Sequence, residues 1–233
     1  MAAITKRYAF LKPDLADVEV SFPKVTAGAG VCSSFAVLKF GDIEVELNDS
    51  SAAMLPEFFE AGSAVPDGEI TLATGWPVAI ARIDAATGGG ICFGIKVGER
   101  VLLGSVPVTM SLEKLAGWLG DLQITATSAG LTVLPTRATW SPDRQANIVL
   151  GVTLQSGQSS LLDIRPAFKS VKPARSGVAV DGGYLSRQGS ADQQEYLVLS
   201  AADHVVYILS PSGRDLDEVA ALGSSVTVRP APR

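Results

Sequence analysis

His204 is the chain's one histidine, so acid–base or metal chemistry built on imidazole has to use it. It lies in Ala202-Asp203-His204-Val205-Val206-Tyr207, at the start of an expected strand beside a turn. Ser200, Asp203 and Ser210 are near in sequence, but neighbouring strand residues point to opposite faces, and the spacing sets no nucleophile against the ring. A structural or surface histidine is the reading that follows. Cys32 and Cys92 sit beside small residues with no Cys-x-x-Cys or Cys/His spacing, and they read as buried thiols rather than a disulfide or zinc set. Asp14 with Asp17, and Asp215 with Asp217 and Glu218, stand where turns and helix starts favour carboxylates, and no EF-hand-like alternation surrounds them. Gly88-Gly89-Gly90 precedes a strand instead of a helix and lacks a Gly-Lys-Ser/Thr ending, so it offers no phosphate cradle. Gly28-Ala29-Gly30 and Asp181-Gly182-Gly183 fail in the same way and read as flexible connections. These residues supply no catalytic set, cofactor site or metal site, and they weigh against an enzyme.

Two residue groups suit binding instead. Trp76, Trp118 and Trp140 fall one per segment without interleaved aromatics, which fits core or interface anchors better than a base-stacking platform. Arg165, Lys169, Lys172 and Arg175, with Arg187 beyond them, face only Asp163 and Asp181 in sequence and can meet an acidic surface, including that of a neighbouring copy. The plain alternative is a solvated loop.

Composition narrows the partners. Residues 1 to 116 hold nine Lys and Arg against fourteen Asp and Glu, whereas residues 117 to 233 hold ten of each. A chain of net charge −5 is poorly suited to general nucleic-acid binding, which draws on surplus cations facing phosphates. Mean hydropathy is +0.28 and only 18% of residues are charged, below the roughly 25% usual in soluble domains, which suits a surface partly covered by other subunits. Charged residues interrupt every apolar run, so no membrane span is expected. After Lys6 and Arg7 the chain gives Tyr8-Ala9-Phe10-Leu11 and then Lys12-Pro13 instead of a secretory apolar region, and a cytoplasmic location, or a virion if viral, is expected.

The elements that position these residues are mostly short strands. Ile91 to Thr127 is the organising stretch: two apolar strands broken at Gly98-Glu99, a helix with Ser111 at its N-cap, Gly120 placed for a left-handed C-cap, and a third strand. Phe35 to Phe40 and Ile43 to Leu47 make a hairpin with Val45 and Leu47 inward, followed by a helix from Ala52 to Ala61. Val65-Pro66-Asp67-Gly68 reads as a turn. The fold class expected is α+β and β-rich, with antiparallel sheets in sandwich- or barrel-like units and short capped helices. An N-terminal arm (1–30) precedes a β-rich domain (31–140) with helices near 51–61 and 111–119. A second β-rich domain (141–233) follows, with a seam at Ser141-Pro142-Asp143 and a helix near 215–222 closed by Gly223.

The last segment repeats the organising stretch. Leu112-Glu113-Lys114-Leu115-Ala116-Gly117-Trp118 sets against Leu216-Asp217-Glu218-Val219-Ala220-Ala221-Leu222, and Ile124-Thr125-Ala126 against Val226-Thr227-Val228 with one residue of slip. Such a spacing means duplicated domains rather than a stacked array, although capped helices after hairpins also resemble one another by chance. Two functions are compatible with this. One is a non-enzymatic structural subunit that assembles with protein partners or with itself, as in a bacteriophage capsid or tail. The other is a small ligand-binding or regulatory module with a pocket between the halves.

Overall fold

A computed structural model describes residues 4–23, 26–107, 109–141, 146–167, 177–189, 195–210 and 216–232. In chain order its elements are β1 (Ile4–Tyr8), β2 (Val18–Phe22), β3 (Thr26–Phe40), β4 (Ile43–Ser51), α1 (Leu55–Ala61), β5 (Ala64–Thr71), β6 (Pro77–Ile83), β7 (Gly90–Val97), β8 (Arg100–Val106) and α2 (Leu112–Gly120). They continue as β9 (Leu122–Thr127), β10 (Gly130–Pro135), β11 (Thr139–Trp140), β12 (Asn147–Leu154), β13 (Ser159–Pro166), β14 (Val178–Val180), β15 (Gly183–Gln188), β16 (Tyr196–Ser200), β17 (His204–Leu209), α3 (Leu216–Ser225) and β18 (Thr227–Pro230). The fold is α+β and β-rich, built of antiparallel sheets with short helices.

The residues group into a central unit (Phe10–Asp14, Ser33–Ala146) and a terminal unit (Met1–Ala9, Leu15–Cys32, Asn147–Arg233). Strand order is β3-β4-β8-β7-β6-β5 in the central sheet, with β11 also on β3, and β12-β13-β17-β16-β15-β14 in the terminal sheet. These two orders are the same when strands are numbered within each unit, and each sheet leads into a helix and a further strand. The order repeats even though the residues match only in places. The β8 counterpart is β17, 104 residues on, and the two-residue turn at Gly98-Glu99 corresponds to Ala202-Asp203.

Each unit also completes a smaller sheet. In the central unit β9 pairs with β10, and Val133 N–H donates to Leu11 O at 2.8 Å. In the terminal unit β18 pairs with β2, which pairs with β1, so the residues read from sequence as an arm supply strands here. Tyr8, Val18, Val20 and Phe22 are buried accordingly.

Several local expectations are corrected. Gly28 to Gly30, expected as a flexible connection, belongs to β3. Val65 to Gly68 is a bulge inside β5, not a turn; proline's missing donor and glycine's positive φ (+123° at Gly68) suit an irregular edge strand equally well. Ser111 caps α2 as expected, accepting from Lys114 N–H at 3.2 Å, but Gly120 is the last helical residue and no left-handed cap follows. Asp121 has φ −84°, and its carbonyl accepts from the Thr136 hydroxyl at 2.9 Å, so the helix end is satisfied by the residue that follows β10. Gly223 lies within α3, where an added Cβ would come within 3.0 Å of Ile208 and Leu185; the glycine lets the helix sit close to the sheet. Pro142 and Asp143 of the expected seam, and Asp215 of the expected helix start, lie outside the described residues.

Candidate interaction face

The terminal sheet shows a regular alternation. Ile148, Leu150, Val152 and Leu154 of β12, Leu162 and Ile164 of β13, Leu197 and Leu199 of β16 and Val206 and Ile208 of β17 are buried on one face, where α3 packs. The other face carries Val149, Leu161, Val205, Tyr207, Leu209 and Tyr196, which are half-buried or exposed, together with Asp163, Val198 and Ser200, which are buried. Leu161 is 37% exposed. Register makes rows across this face: Val149 opposes Asp163, Asp163 opposes Tyr207, and Tyr207 opposes Val198.

One polar network crosses it. Arg165 Nε donates to Asp163 Oδ2 at 3.0 Å, and Asn147 Nδ2 donates to Asp163 Oδ1 at 2.7 Å. The Arg165 guanidinium stands 4.7 Å from the centre of the Tyr207 ring, close enough for a cation–π contact, and Tyr196 tilts against Tyr207 at 6.1 Å. The Asp163 hydrogen bond, against a smaller opposing effect of burial, raises the Arg165 pKa above its already high ordinary value, so the guanidinium stays charged. Apolar side chains surround a charge pair with no surplus of either sign.

The corresponding face of the central sheet is built differently. There α1 lays Leu55 and Phe59 over Ala81, Cys92, Val101 and Leu103, with Ala79 and Ile83 at the margin. Gly94 is the seat of the helix, because a Cβ on it would collide with Leu55. By register and by the 104-residue offset, Val198 stands where Gly94 does, Tyr196 where Cys92 does, and Tyr207 where Leu103 does. Small residues make room for a helix; large ones fill their own surface.

The residues singled out in the sequence are distributed between the units. Trp118 stacks on Phe40 with ring centres 4.3 Å apart and planes 4° from parallel, and Lys114 Nζ lies 5.1 Å over it, so this side chain fastens α2 to the end of β3. Trp140 pairs with Leu38 of β3. Trp76 is in the connection between β5 and β6, where its carbonyl accepts from Leu72 N–H at 2.9 Å. Arg165 is on the terminal face away from α3, while Lys169, Lys172 and Arg175 lie outside the described residues. His204 is buried on the α3 side of β17; burial lowers its pKa below 6.5, against a smaller opposing effect of Asp203. The central counterpart of His204 is Arg100, which grips the fully buried Asp49 with Nε–Oδ1 2.6 Å and a second bond of 2.7 Å. Leu131 N–H donates to the same carboxylate at 2.8 Å. Burial nevertheless raises the Asp49 pKa, and Arg100 and Leu131 only partly offset it.

A cleft of about 600 Å³ opens beside the β14–β15 turn, lined by Asp181, Gly182, Gly183, Tyr184 and Ser200 among others, all of the terminal unit. Among the described residues no three His, Cys, Asp or Glu side chains converge to hold a metal, and no helix is long and apolar enough to cross a membrane.

Tyr196 and Tyr207 were not singled out as interface residues in the sequence, though β17 carries a signal. His204-Val205-Val206-Tyr207-Ile208-Leu209 is apolar at both odd and even positions, a pattern suited to a strand covered on both faces. Among the described residues of the terminal unit, α3 packs on the face with Val206 and Ile208. Comparison with protein-family models, curated proteins and solved structures finds no match.

Proposed function

We propose that the chain is a non-enzymatic assembly subunit of a larger complex, a capsid or tail component of a bacteriophage virion being one such role. The observation that carries this reading is the terminal face away from α3, where half-buried or exposed Val, Leu and Tyr side chains surround one ion pair. Contiguous apolar surface of this kind is uncommon on a protein that works alone, and tyrosine and arginine are enriched where proteins meet. The repeated scaffold also suits a structural role, because it supplies two similar sheets that can be surfaced differently. Native mass by size exclusion with light scattering, at several concentrations, tests the reading. The expected result is a defined oligomer or growth of mass with concentration; a monomer across the whole range would overturn it.

A further inference from the structure

Independently of the assembly reading, we infer that the cleft beside the β14–β15 turn binds an ammonium group on a short aliphatic stem, carried by a free alkylamine or by a lysine side chain. Its shape comes from the backbone. Register sets Tyr184 against Ser200, so the Asp181-Gly182 turn and the Ala202-Asp203 turn stand at the same end of the terminal sheet. Two glycines let the first turn close on its neighbours. A Cβ on Gly183 would run into the Ser200 carbonyl, and one on Gly182 would lie 2.6 Å from Val226 O. This close backbone packing gives the cleft a pre-formed floor. Its volume of about 600 Å³ is within the roughly 300–1,000 Å³ of small-molecule sites.

The charge of the lining selects a cation. Asp181 is exposed at the cleft and pairs with no described cation, and no described Lys or Arg lines the cleft. Asp203 is exposed in the neighbouring turn and adds a second carboxylate. Arg165, which follows Val205 in the row of Ser200, is held by Asp163. An anion would meet like charge here, whereas a cation gains from both carboxylates. A bare metal ion is the poorer fit, because hard cations take several oxygen ligands and no three described carboxylates converge.

The remaining lining selects an alkylammonium. Tyr184 is 38% exposed and lies on the same side of the sheet as Ser200, so its ring face can receive a cation while the serine hydroxyl accepts an N–H. Val180, Ala201 and Ala202 supply apolar wall for the stem. Carboxylate, ring, hydroxyl and apolar wall together match a charged head on a short hydrocarbon chain.

The test is equilibrium dialysis of the full chain against pentylamine, which reads bound amine whatever the oligomeric state. Failure of this inference is therefore distinct from failure of the assembly reading. The expected result is saturable binding with a dissociation constant on the order of 1 mM, and at least about tenfold weaker binding of 1-pentanol and pentanoate. Asp181→Asn and Tyr184→Ala should each weaken pentylamine about fivefold, the size of one ion-pair or cation–π contact in a partly desolvated site. Asparagine suits a turn as well as aspartate does, so Asp181→Asn removes the charge and keeps the fold. Glu69→Gln, which neutralises an exposed carboxylate of β5, should change nothing. Displacement of pentylamine by doubly capped lysine would extend the site to lysine side chains, and no displacement would restrict it to free alkylamines. Absence of saturable binding, equal binding of 1-pentanol, or affinity unchanged in both Asp181→Asn and Tyr184→Ala would overturn the inference.

Discussion

The central and terminal units hang the same strand order on different packing. In the central unit both faces of β7 and β8 are covered, and every β7 residue from Gly90 to Ile95 is buried. In the terminal unit burial alternates along β12 as half-buried, buried, half-buried, buried, whereas β16, the counterpart of β7, is buried from Leu197 to Ser200. One topology therefore carries differently built faces, and the side chains on each face make the difference. Gly94 admits α1, whereas Val198 occupies the corresponding place.

The largest expected effect sharpens the contrast at the Arg100 and His204 positions. Arg100→Leu leaves Asp49 buried without its cation and should cost about 3 kcal/mol of unfolding free energy, read from a denaturant midpoint. A loss under about 1 kcal/mol would mean that Asp49 is already protonated, and that burial outweighs the ion pair.

A smaller effect tests whether the two faces are covered differently. Gly94→Ala must push Leu55 and α1 away and should cost about 2 kcal/mol, whereas Val198→Ala, over which no helix lies among the described residues, should cost about 1 kcal/mol. Equal losses in urea titrations would contradict the difference in cover.

The smallest effect is in pH. Burial depresses the His204 pKa in the folded chain, so the unfolded chain binds the proton more readily. The stability is therefore complete above about pH 6.5 and is lost as pH falls towards the depressed folded value, with a slope of at most about 1.4 kcal/mol per pH unit. Thermal midpoints of wild type and His204→Gln between pH 7.5 and 5 should diverge in that direction. The difference between them isolates the histidine from Asp49, whose raised pKa favours the fold at low pH and acts in the opposite sense. Parallel profiles would exclude His204 as the source.

Much of this scaffold was legible in local chemistry. The Gly98-Glu99 turn, the Ser111 cap and the alternation that buries Val45 and Leu47 each depend on residues within a few positions of one another. The repeat was visible at α2 and α3 because Leu112 and Leu216 begin similar amphipathic runs before similar strands. The glycines were misread where their partner was distant. Gly223 looks like a helix stop, and only Ile208 and Leu185, brought up by the sheet, make it a close-packing residue. Gly120 looks like a left-handed cap, and Thr136 removes the need for one.

The sequence by itself determined the strand-rich class, the turns, one helix cap and the low, balanced charge of the second half. These follow from dihedral preference, hydrophobic period and composition, which act over short stretches of chain. Tertiary structure decided that β1 and β2 join β18, that Asp49 meets Arg100 and Leu131, and that α3 packs on the Val206 and Ile208 face of β17. Those outcomes depend on which distant segment covers a surface, and the period of a strand reports that a face is apolar without reporting what lies on it.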